Sequence, residues 1–277
     1  MSQVCLDRND IAFVAQLVKE AGTLSLQMRS DLSVSEKGPG DFVTDADRAL
    51  SKLLVFKISQ RMPGDLIVSE EGDRQQAASR RTWLIDPIDG TDHYLHKKSD
   101  QFSVMVGLVL DGVPAYGWVC QPARNIIYHG GVGFGAFVQV GDAAETRLAD
   151  LESIISRDTK RIIIGRRDSR NRPWLRDMTD VSTMAVGSVG VKVIWVLENR
   201  ADIVAQMHGL MSVWDTAAPA ALALGAGMEV GTDEELKPLR FPAVYDASTY
   251  KQRFPVVFGR PGTIEWSRKH LMTKPSL

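Results

Sequence analysis

Two aspartates stand close together in the segment Trp83–Thr91, W-L-I-D-P-I-D-G-T. The apolar residues before Asp86 predict a buried strand, which Pro87 should prevent from continuing. Gly90 permits a backbone conformation that other residues resist, and a helix is expected to begin directly after it. Asp86 and Asp89 would then lie at a strand end beside a helix N-terminus, whose free N–H groups favour an anion.

Carboxylates held this close repel one another unless a cation lies between them. The motif therefore favours a hard divalent metal with a phosphate above it. The simpler alternative is a turn in which Asp89 caps the following helix. That alternative needs only one of the two aspartates, so the decision depends on whether other segments supply carboxylates of the same kind.

Further acids crowd the start of a second helix. Residues 9–30 carry apolar side chains at helical spacing and predict a first amphipathic helix. Thr44 opens the second, with Asp47 at capping-box spacing. Asp41, Asp45 and Asp47 together exceed what a cap requires, although capping alone would explain any single one.

A pair of glutamates follows the next predicted strand, residues 66–69. Glu70 and Glu71 stand at its end, as Asp86 stands at the end of the strand after it. If these two strands are neighbours, Glu70 lies beside Asp86. The alternative is that both glutamates are simply solvated surface residues.

The chain then predicts an antiparallel meander, with a hairpin at Asp111-Gly112. Its strands are expected at residues 102–110, 115–121, 126–129 and 134–140. The glycines of G-G-V-G-F-G lie between two strands with no helix after them, which favours a turn over a phosphate loop. His93 and His96 lack a third zinc ligand, which favours surface or supporting roles.

A polar stretch at residues 141–158 predicts a boundary between two parts, 1–150 and 151–277. The first pairs two helices with the meander, and the second alternates strands and helices, so the fold class is mixed α/β. Asp215 is expected to be the N-cap of an Ala-rich helix, with Pro219 in its first turn.

Composition excludes several classes of protein. The chain has 277 residues, 44% of them hydrophobic, and a net charge of -1, so no basic field attracts a nucleic-acid polymer or an anionic membrane. The sequence predicts neither a signal peptide nor a segment that spans a bilayer. Cys5 and Cys120 provide neither a disulfide framework nor a zinc site, and a cytoplasmic location is expected.

The acids lie in recognisable motifs: Asp47 in T-D-A-D, Glu70 in S-E-E-G, the D-P-I-D-G-T segment, and Asp215 in W-D-T-A-A. From residue 37 to about residue 233, the sequence resembles the inositol monophosphatase superfamily of lithium-sensitive, magnesium-dependent phosphomonoesterases. Within it, S-D-Q-F-S-V and G-S-V-G-V-K resemble the 3′(2′),5′-bisphosphate nucleotidases.

The resemblance implies a layered αβαβα fold with the active site between its two parts. It also implies two or three Mg²⁺ ions bound by oxygen atoms, the ligands that magnesium prefers. The implied metal ligands are Glu70, Asp86, the carbonyl of Ile88, Asp89 and Asp215, with Asp86 bridging two ions and Glu70 reaching a third through water.

The remaining roles are also implied by the resemblance. Thr91 and Asp47 would form a pair that takes a proton from the attacking water, and the backbone N–H groups of Gly90 and Thr91 would hold phosphate oxygens. The implied substrate neighbours are Gly187, Ser188 and Lys192. A helix cap and a surface lysine are an equally good explanation of those three.

The expected function is magnesium-dependent removal of the 3′-phosphate of adenosine 3′,5′-bisphosphate, a small phosphorylated metabolite. The alternative within the superfamily is an inositol-1-phosphate phosphatase or a fructose-1,6-bisphosphatase. Outside this class stands a catalytically silent protein that binds metal or nucleotide. Relatives are commonly dimers, so a homodimer is one possible assembly.

Overall fold

The computed structural model describes residues 6–38, 41–72, 77–96, 99–232, 235–245 and 248–272. The α-helices are α1 Arg8–Met28, α2 Asp45–Arg61, α3 Thr91–Leu95, α4 Arg166–Asn171, α5 Val189–Leu197, α6 Val213–Gly225 and α7 Thr263–His270. Short 3₁₀ turns lie at Pro122–Arg124, Ile154–Ser156 and Pro173–Arg176. None of the described helices is long and apolar enough to cross a membrane.

The strands belong to two main sheets and some short pairs. The strands up to the middle of the chain are β1 Val34–Gly38, β2 Asp41–Thr44, β3 Leu66–Ser69, β4 Ala77–Ala78, β5 Arg81–Asp89, β6 Ser103–Leu110, β7 Val113–Gln121, β8 Ile126–Gly131, β9 Gly135–Val140 and β10 Thr146–Arg147. Those that follow are β11 Lys160–Ile164, β12 Val181–Met184, β13 Ile203–Gln206, β14 Met211–Ser212, β15 Glu229–Thr232, β16 Val244–Tyr245, β17 Lys251–Gln252 and β18 Val256–Gly259.

The first sheet has the order β10-β9-β8-β7-β6-β5-β3. Its strands run antiparallel from β10 to β5, as the alternating sequence predicts, and only β3 lies parallel to its neighbour β5. The G-G-V-G-F-G segment forms the tight turn between β8 and β9. The predicted meander is therefore confirmed.

Helices α1 and α2 cover one face of this sheet. In β5, alternate residues Trp83 and Ile85 pack with these helices, whereas Leu84 points into the cluster on the other face. Helix α2 begins as the sequence predicts, because Thr44 accepts from the backbone N–H of Asp47 while the Asp47 carboxylate accepts from that of Thr44.

The second sheet has the order β12-β11-β13-β18-β15, parallel on the β12 side and antiparallel on the β15 side. Helices α5 and α6 lie between the two sheets, where their side chains join one large apolar cluster. Close approach of α6 to the first sheet depends on glycine, since a Cβ at Gly107 would come within 2.6 Å of the Ala218 backbone nitrogen.

Helix α7 packs on the outer face of the second sheet, where Trp266 and Leu271 join Ile162, Ile203 and Val257 in a third cluster. The layers are therefore helix, sheet, helix, sheet, helix, which confirms the αβαβα fold. The change from the first sheet to the second falls between β10 and β11. The division near residue 150 stays a prediction, because α6 packs against the first sheet as well as the second.

Three local expectations were wrong. Strand β5 does not stop at Pro87 but continues to Asp89, because a bulge carries the chain past the proline. Asp215 is not the N-cap of α6, since Ser212 is the cap and Asp215 stands three residues later. Helix α6 therefore begins earlier than expected, and Pro219 lies inside it rather than in its first turn.

Candidate active site

Glu70 and Asp86 are neighbours because β3 and β5 pair in parallel with Ser69 opposite Ile85. The backbone N–H of Glu70 continues this pairing by donating to the carbonyl of Ile85 at 3.0 Å. The next residue on each strand is an acid, so both carboxylates emerge at the same edge of the sheet. This is the adjacency that the sequence predicts.

Asp86 is the centre of an acidic cluster. Its side chain is buried, and no described residue donates a hydrogen bond to its Oδ1 atom. Burial, followed by the nearby charges of Glu70, Asp89, Asp215 and Asp47, raises the pKa of this carboxyl well above its usual range. An unsatisfied buried oxygen among other acids is a position that a bound cation would stabilise.

Asp89 is held by residues from the start of α5. Its Oδ2 atom accepts from the Ser188 hydroxyl, from the Gly190 backbone N–H at 2.8 Å and from the Ser103 hydroxyl at 3.1 Å. Ser188 also caps α5 by accepting from Val191 N–H at 3.1 Å. The D-P-I-D-G-T motif is thus joined directly to the G-S-V-G-V-K motif.

Gly90 and Thr91 form the start of α3. Gly90 has φ +90°, a left-handed conformation that favours glycine, and a Cβ there would lie 3.2 Å from the Ser188 side chain. The Thr91 hydroxyl lies 3.1 Å from the Ile88 carbonyl and 3.4 Å from Asp47 Oδ1. Thr91 therefore faces Asp47, the residue with which the family resemblance pairs it, as well as the Ile88 carbonyl.

Asp47 uses its two oxygens differently. Its Oδ2 atom accepts from the backbone N–H of Thr44 at 2.8 Å and from the Thr44 hydroxyl at 2.5 Å. Its Oδ1 atom is the one that faces Thr91. Asp47 is therefore both a helix cap and a member of the acidic cluster. Of its acidic neighbours, Asp45 accepts from the Ser33 backbone N–H at 3.1 Å, and the Asp41 side chain lies outside the described residues.

Asp215 and Lys192 complete the cluster from the second part of the chain. Burial raises the pKa of Asp215 to about 6, and the Asp89 charge adds to this, while the Ser212 N–H, Lys251 and Lys192 act in the opposite direction. Burial lowers the pKa of Lys192, although the charges of Asp89 and Asp215 partly compensate. Lys192 is therefore a buried cation beside two of the acids.

A cavity of about 460 Å³ opens beside Asp215 and Lys192. The ends of β11 and β13, the start of α5 and the segment between β13 and β14 form its walls. Its apolar and glycine residues are Gly165, Val186, Gly187, Val189, Leu210 and Met211, and its other polar residues are Gln206 and His208.

Some of these residues are absent from the sequence-based site. Ser103 lies in the S-D-Q-F-S-V motif, but nothing in that motif indicates a bond to Asp89. His208 carries no sequence signal, and its position follows from the path of the chain after β13. Asp168 is fully buried and accepts from the Met207 backbone N–H at 2.9 Å, which anchors the segment that carries His208.

The cluster suits magnesium by its chemistry, because it offers carboxylate and carbonyl oxygens. Within the described ranges, no three side chains of His, Cys, Asp or Glu are grouped tightly enough to hold a metal ion as they stand. Protein donors instead occupy one oxygen each of Asp47, Asp89 and Asp215. The feature that fits a cation is the buried Oδ1 of Asp86, which has no hydrogen-bond partner in the part of the chain that the structure describes.

The fold resembles that of solved inositol monophosphatase structures. An inositol monophosphatase structure from Thermotoga maritima matches with a TM-score of 0.78, covering 95% of this chain and 96% of that chain at 24% identity. At this identity the match establishes the fold alone.

The sequence profile of the inositol monophosphatase family matches residues 7–248, and the chain belongs to this family. It is 28% identical over 236 residues to the 3′(2′),5′-bisphosphate nucleotidase CysQ of Escherichia coli K12, covering 82% of this chain and 92% of that protein. It is 27% identical over 217 residues to the inositol-1-monophosphatase of Bacillus subtilis, covering 74% of this chain and 78% of that protein.

The family and these relatives are phosphatases, so the chain is an enzyme that hydrolyses phosphoric monoesters. Its substrates are small phosphorylated molecules, and the family is generally magnesium-dependent. These results confirm the predicted class of enzyme. The two relatives act on different substrates by name.

Proposed function

We propose that the enzyme removes the 3′-phosphate of adenosine 3′,5′-bisphosphate. The observation that carries this proposal is Lys192, a buried cation on the wall of the cavity next to Asp215. Among the described residues, its ammonium group has no hydrogen-bond partner. A substrate that keeps a second phosphate after hydrolysis would place that anion against Lys192.

The rest of the cavity supports a nucleotide over a polyol. Val186, Val189, Leu210 and Met211 provide apolar surface on which a planar base can lie. His208 accepts from the Leu210 N–H through its Nδ1 atom, so in the neutral ring the proton lies on Nε2. An inositol ring would bring several hydroxyl groups against these apolar side chains, at a cost in unpaired hydrogen bonds.

Magnesium would be held by Glu70, Asp86, the Ile88 carbonyl, Asp89 and Asp215, in a site of two or three ions. When bound, the metal supplies positive charge that stabilises the attacking and leaving oxygens. The protein's own part is to orient the carboxylates. Ser188 would contribute by fixing Asp89, to which it is bonded, rather than by contacting substrate.

Thr91 and Asp47 would handle the proton of the attacking water. The Thr91 hydroxyl accepts this proton while giving its own to Oδ1 of Asp47, so no covalent intermediate is required. Thr44 keeps Asp47 in place by binding Oδ2. The backbone N–H groups of Gly90 and Thr91 would receive phosphate oxygens, and Gly187 would line the path to the base.

A substrate panel tests the proposal. Phosphate release is measured with magnesium from adenosine 3′,5′-bisphosphate, inositol-1-phosphate and fructose 1,6-bisphosphate. We expect the highest kcat/KM with the bisphosphate nucleotide. A higher kcat/KM with inositol-1-phosphate would overturn this choice in favour of the second candidate, which the similarity to the Bacillus subtilis enzyme favours.

Three further expectations come with the family resemblance. Lithium should inhibit turnover, and unchanged activity in a lithium titration well above the magnesium concentration would contradict this. A homodimer should be visible by light scattering as twice the mass of the 30.6 kDa chain. A cytoplasmic location should be visible by fractionation of the source cells.

A further inference from the structure

Arg29, at the end of α1, is a buried arginine with an unusual set of partners. Its side chain is only slightly exposed, and burial lowers the pKa of its guanidinium. In the described part of the chain no carboxylate forms an ion pair with it. A buried charge without a counter-ion is costly unless strong hydrogen bonds compensate it.

Among the described residues, the side-chain hydrogen bonds of Arg29 all go to one short segment that includes α3. Its Nε atom donates to the Tyr94 carbonyl at 2.8 Å. Its Nη2 atom lies within bonding distance of the carbonyls of His93 at 3.1 Å, His96 at 2.8 Å and Ser99 at 2.9 Å. The His93 and Tyr94 carbonyls lie in the last turn of α3, where a helix leaves carbonyls without intrahelical partners, and a cation there also complements the helix dipole. The His96 carbonyl also accepts from the Ser99 N–H at 2.7 Å.

Aromatic contacts fix the guanidinium in this position. It lies 4.8 Å from the ring centre of Phe102 and 5.4 Å from that of Tyr94. The Tyr94 hydroxyl donates to the Ser25 carbonyl of α1 at 2.6 Å, one turn before Arg29. Helix α1 therefore holds α3 by a second bond that is independent of the first.

Helix α3 has five residues, too few to be stable on its own. Thr91 is its first residue, so whatever holds α3 also sets the distance from the Thr91 hydroxyl to Asp47. We propose that Arg29 is a positioning residue of the phosphatase, which acts on turnover by holding Thr91 in register with Asp47. This inference rests on the proposed role of Thr91 in proton transfer.

The test compares Arg29→Lys with Arg260→Lys. Lysine keeps the charge, but its ammonium group cannot donate to several carbonyls at once as the planar guanidinium group does. Arg260 is a matched control, because it is also buried and donates to the Val196 carbonyl at 3.2 Å. Arg260 also lies away from the cavity. It follows Gly259, which pairs with Ile203 at the start of β13, whereas the cavity lies at the other end of β13, at Gln206.

We expect Arg29→Lys to lower kcat on the order of 10- to 100-fold, because small displacements of reacting groups have effects of this size. KM should change less than about threefold, since the groups that bind the rest of the substrate do not touch Arg29. Arg260→Lys should lower the melting temperature without this loss of kcat. Equal kcat losses in the two variants, or unchanged kcat in Arg29→Lys, would overturn the proposal.

A double-mutant cycle separates positioning from stability. The residual turnover of Thr91→Ala is measured at high enzyme concentration, with and without Arg29→Lys. In this background Arg29→Lys should lower kcat less than about threefold, because the Thr91 hydroxyl that Arg29 positions is already missing. An undiminished loss would overturn the inference. If Thr91→Ala alone keeps full turnover, the proposed proton path fails and the role of Arg29 fails with it.

Tyr94→Phe is the second variant, and it serves if Arg29→Lys does not fold. It keeps the ring and removes only the bond to Ser25. We expect a fall in kcat of about 3- to 10-fold, in the range of one neutral hydrogen bond. A folded Tyr94→Phe enzyme with wild-type kcat would contradict the idea that α1 sets the position of α3.

Discussion

Asp89 and Ser188 are hydrogen-bonded across the two parts of the molecule. Asp89 follows a bulge at the end of β5, and Ser188 caps α5 in the layer between the sheets. The acidic motif of the first sheet is therefore oriented by the start of a helix from the second part. This bond joins the proposed metal site to the wall of the cavity beside Lys192, which Gly187 lines.

Asp89→Asn should remove most turnover and weaken magnesium binding with little loss of fold. The amide carries no charge, so one anionic contact to the cation is lost, while its oxygen can still accept from Gly190 and Ser103. We expect kcat to fall at least about 100-fold, in line with the loss of charge stabilisation at a reacting centre.

Activity, magnesium titration calorimetry and the melting temperature check this variant. Asp180→Asn is the control, because Asp180 is a half-exposed acid whose pairing partner, Lys160, is 3.9 Å away. The control should match the wild type in all three measurements. Wild-type turnover in Asp89→Asn would refute the assignment of the metal site.

Asp215 should make the metal-free enzyme less stable as the pH rises. Its pKa is about 6 in the folded protein, against 3.8 ordinarily, so the folded state retains the proton over this range while the unfolded chain loses it. The free energy of unfolding therefore falls as the pH rises from about 4 to 6, by about 2 kcal/mol from this group.

Chemical unfolding in EDTA at several pH values measures this effect. Other acids titrate as well, so the quantity to compare is the difference between wild type and Asp215→Asn. Between pH 4 and pH 7 the free energy of unfolding of the variant should rise relative to that of the wild type by about 2 kcal/mol. Parallel pH curves for the two proteins would show that burial does not raise this pKa.

Local chemistry predicts much of the fold. Apolar spacing gives α1 to within two residues, and the Thr44 capping box fixes the start of α2. Alternation gives β6 to β9 in order, because each strand pairs with the next one in the sequence. These are features that neighbouring residues determine.

Features that depend on distant segments could not be predicted in this way. The order of the second sheet places β18 between β13 and β15, and no local pattern encodes that insertion. The bulge that carries β5 past Pro87 depends on pairing with β6 on either side. Arg29 looks like an ordinary helix-end residue in the sequence, and its partners become visible only when α1 lies against α3.

The candidate site also has a part that the sequence predicts and a part that it does not. The sequence predicts the acids, because carboxylates at strand and helix ends are uncommon in such numbers and the motifs are distinctive. Asp47 and Glu70 are placed near Asp86, as expected. The cavity wall was mostly missed, because Leu210, Met211 and His208 are brought there by the segment after β13 rather than by a motif.

Gly117→Ala should destabilise the fold. A Cβ at this position would overlap the backbone of Ala218 in α6, which cannot move without shifting the whole helix. We expect a loss of about 3 kcal/mol or failure to fold, at the upper end for overpacking in a core. Gly165→Ala is the control, because its nearest neighbour would be 3.9 Å away.

Denaturant unfolding of both variants measures the effect. The control should stay within about 0.5 kcal/mol of the wild type. Equal stability of Gly117→Ala and wild type would mean that α6 lies farther from the first sheet than described. Comparable loss in both variants would point to a general intolerance of alanine rather than to the contact with Ala218.

Lys192→Met should discriminate between substrates with one phosphate and substrates with two. Methionine keeps much of the apolar stem and removes the ammonium group that faces the cavity. We expect KM for adenosine 3′,5′-bisphosphate to rise on the order of 10- to 100-fold, the size of a lost charge-assisted hydrogen bond in a buried site. For adenosine 3′-monophosphate, which lacks the 5′-phosphate, KM should change less than about threefold, because the lost cation has no partner on that substrate.

Steady-state phosphate release with both nucleotides provides the measurement. The control is Lys160→Met, because Lys160 is paired with Asp180. An equal rise in KM for both nucleotides would assign Lys192 to the acidic cluster of Asp89 and Asp215 rather than to the second phosphate.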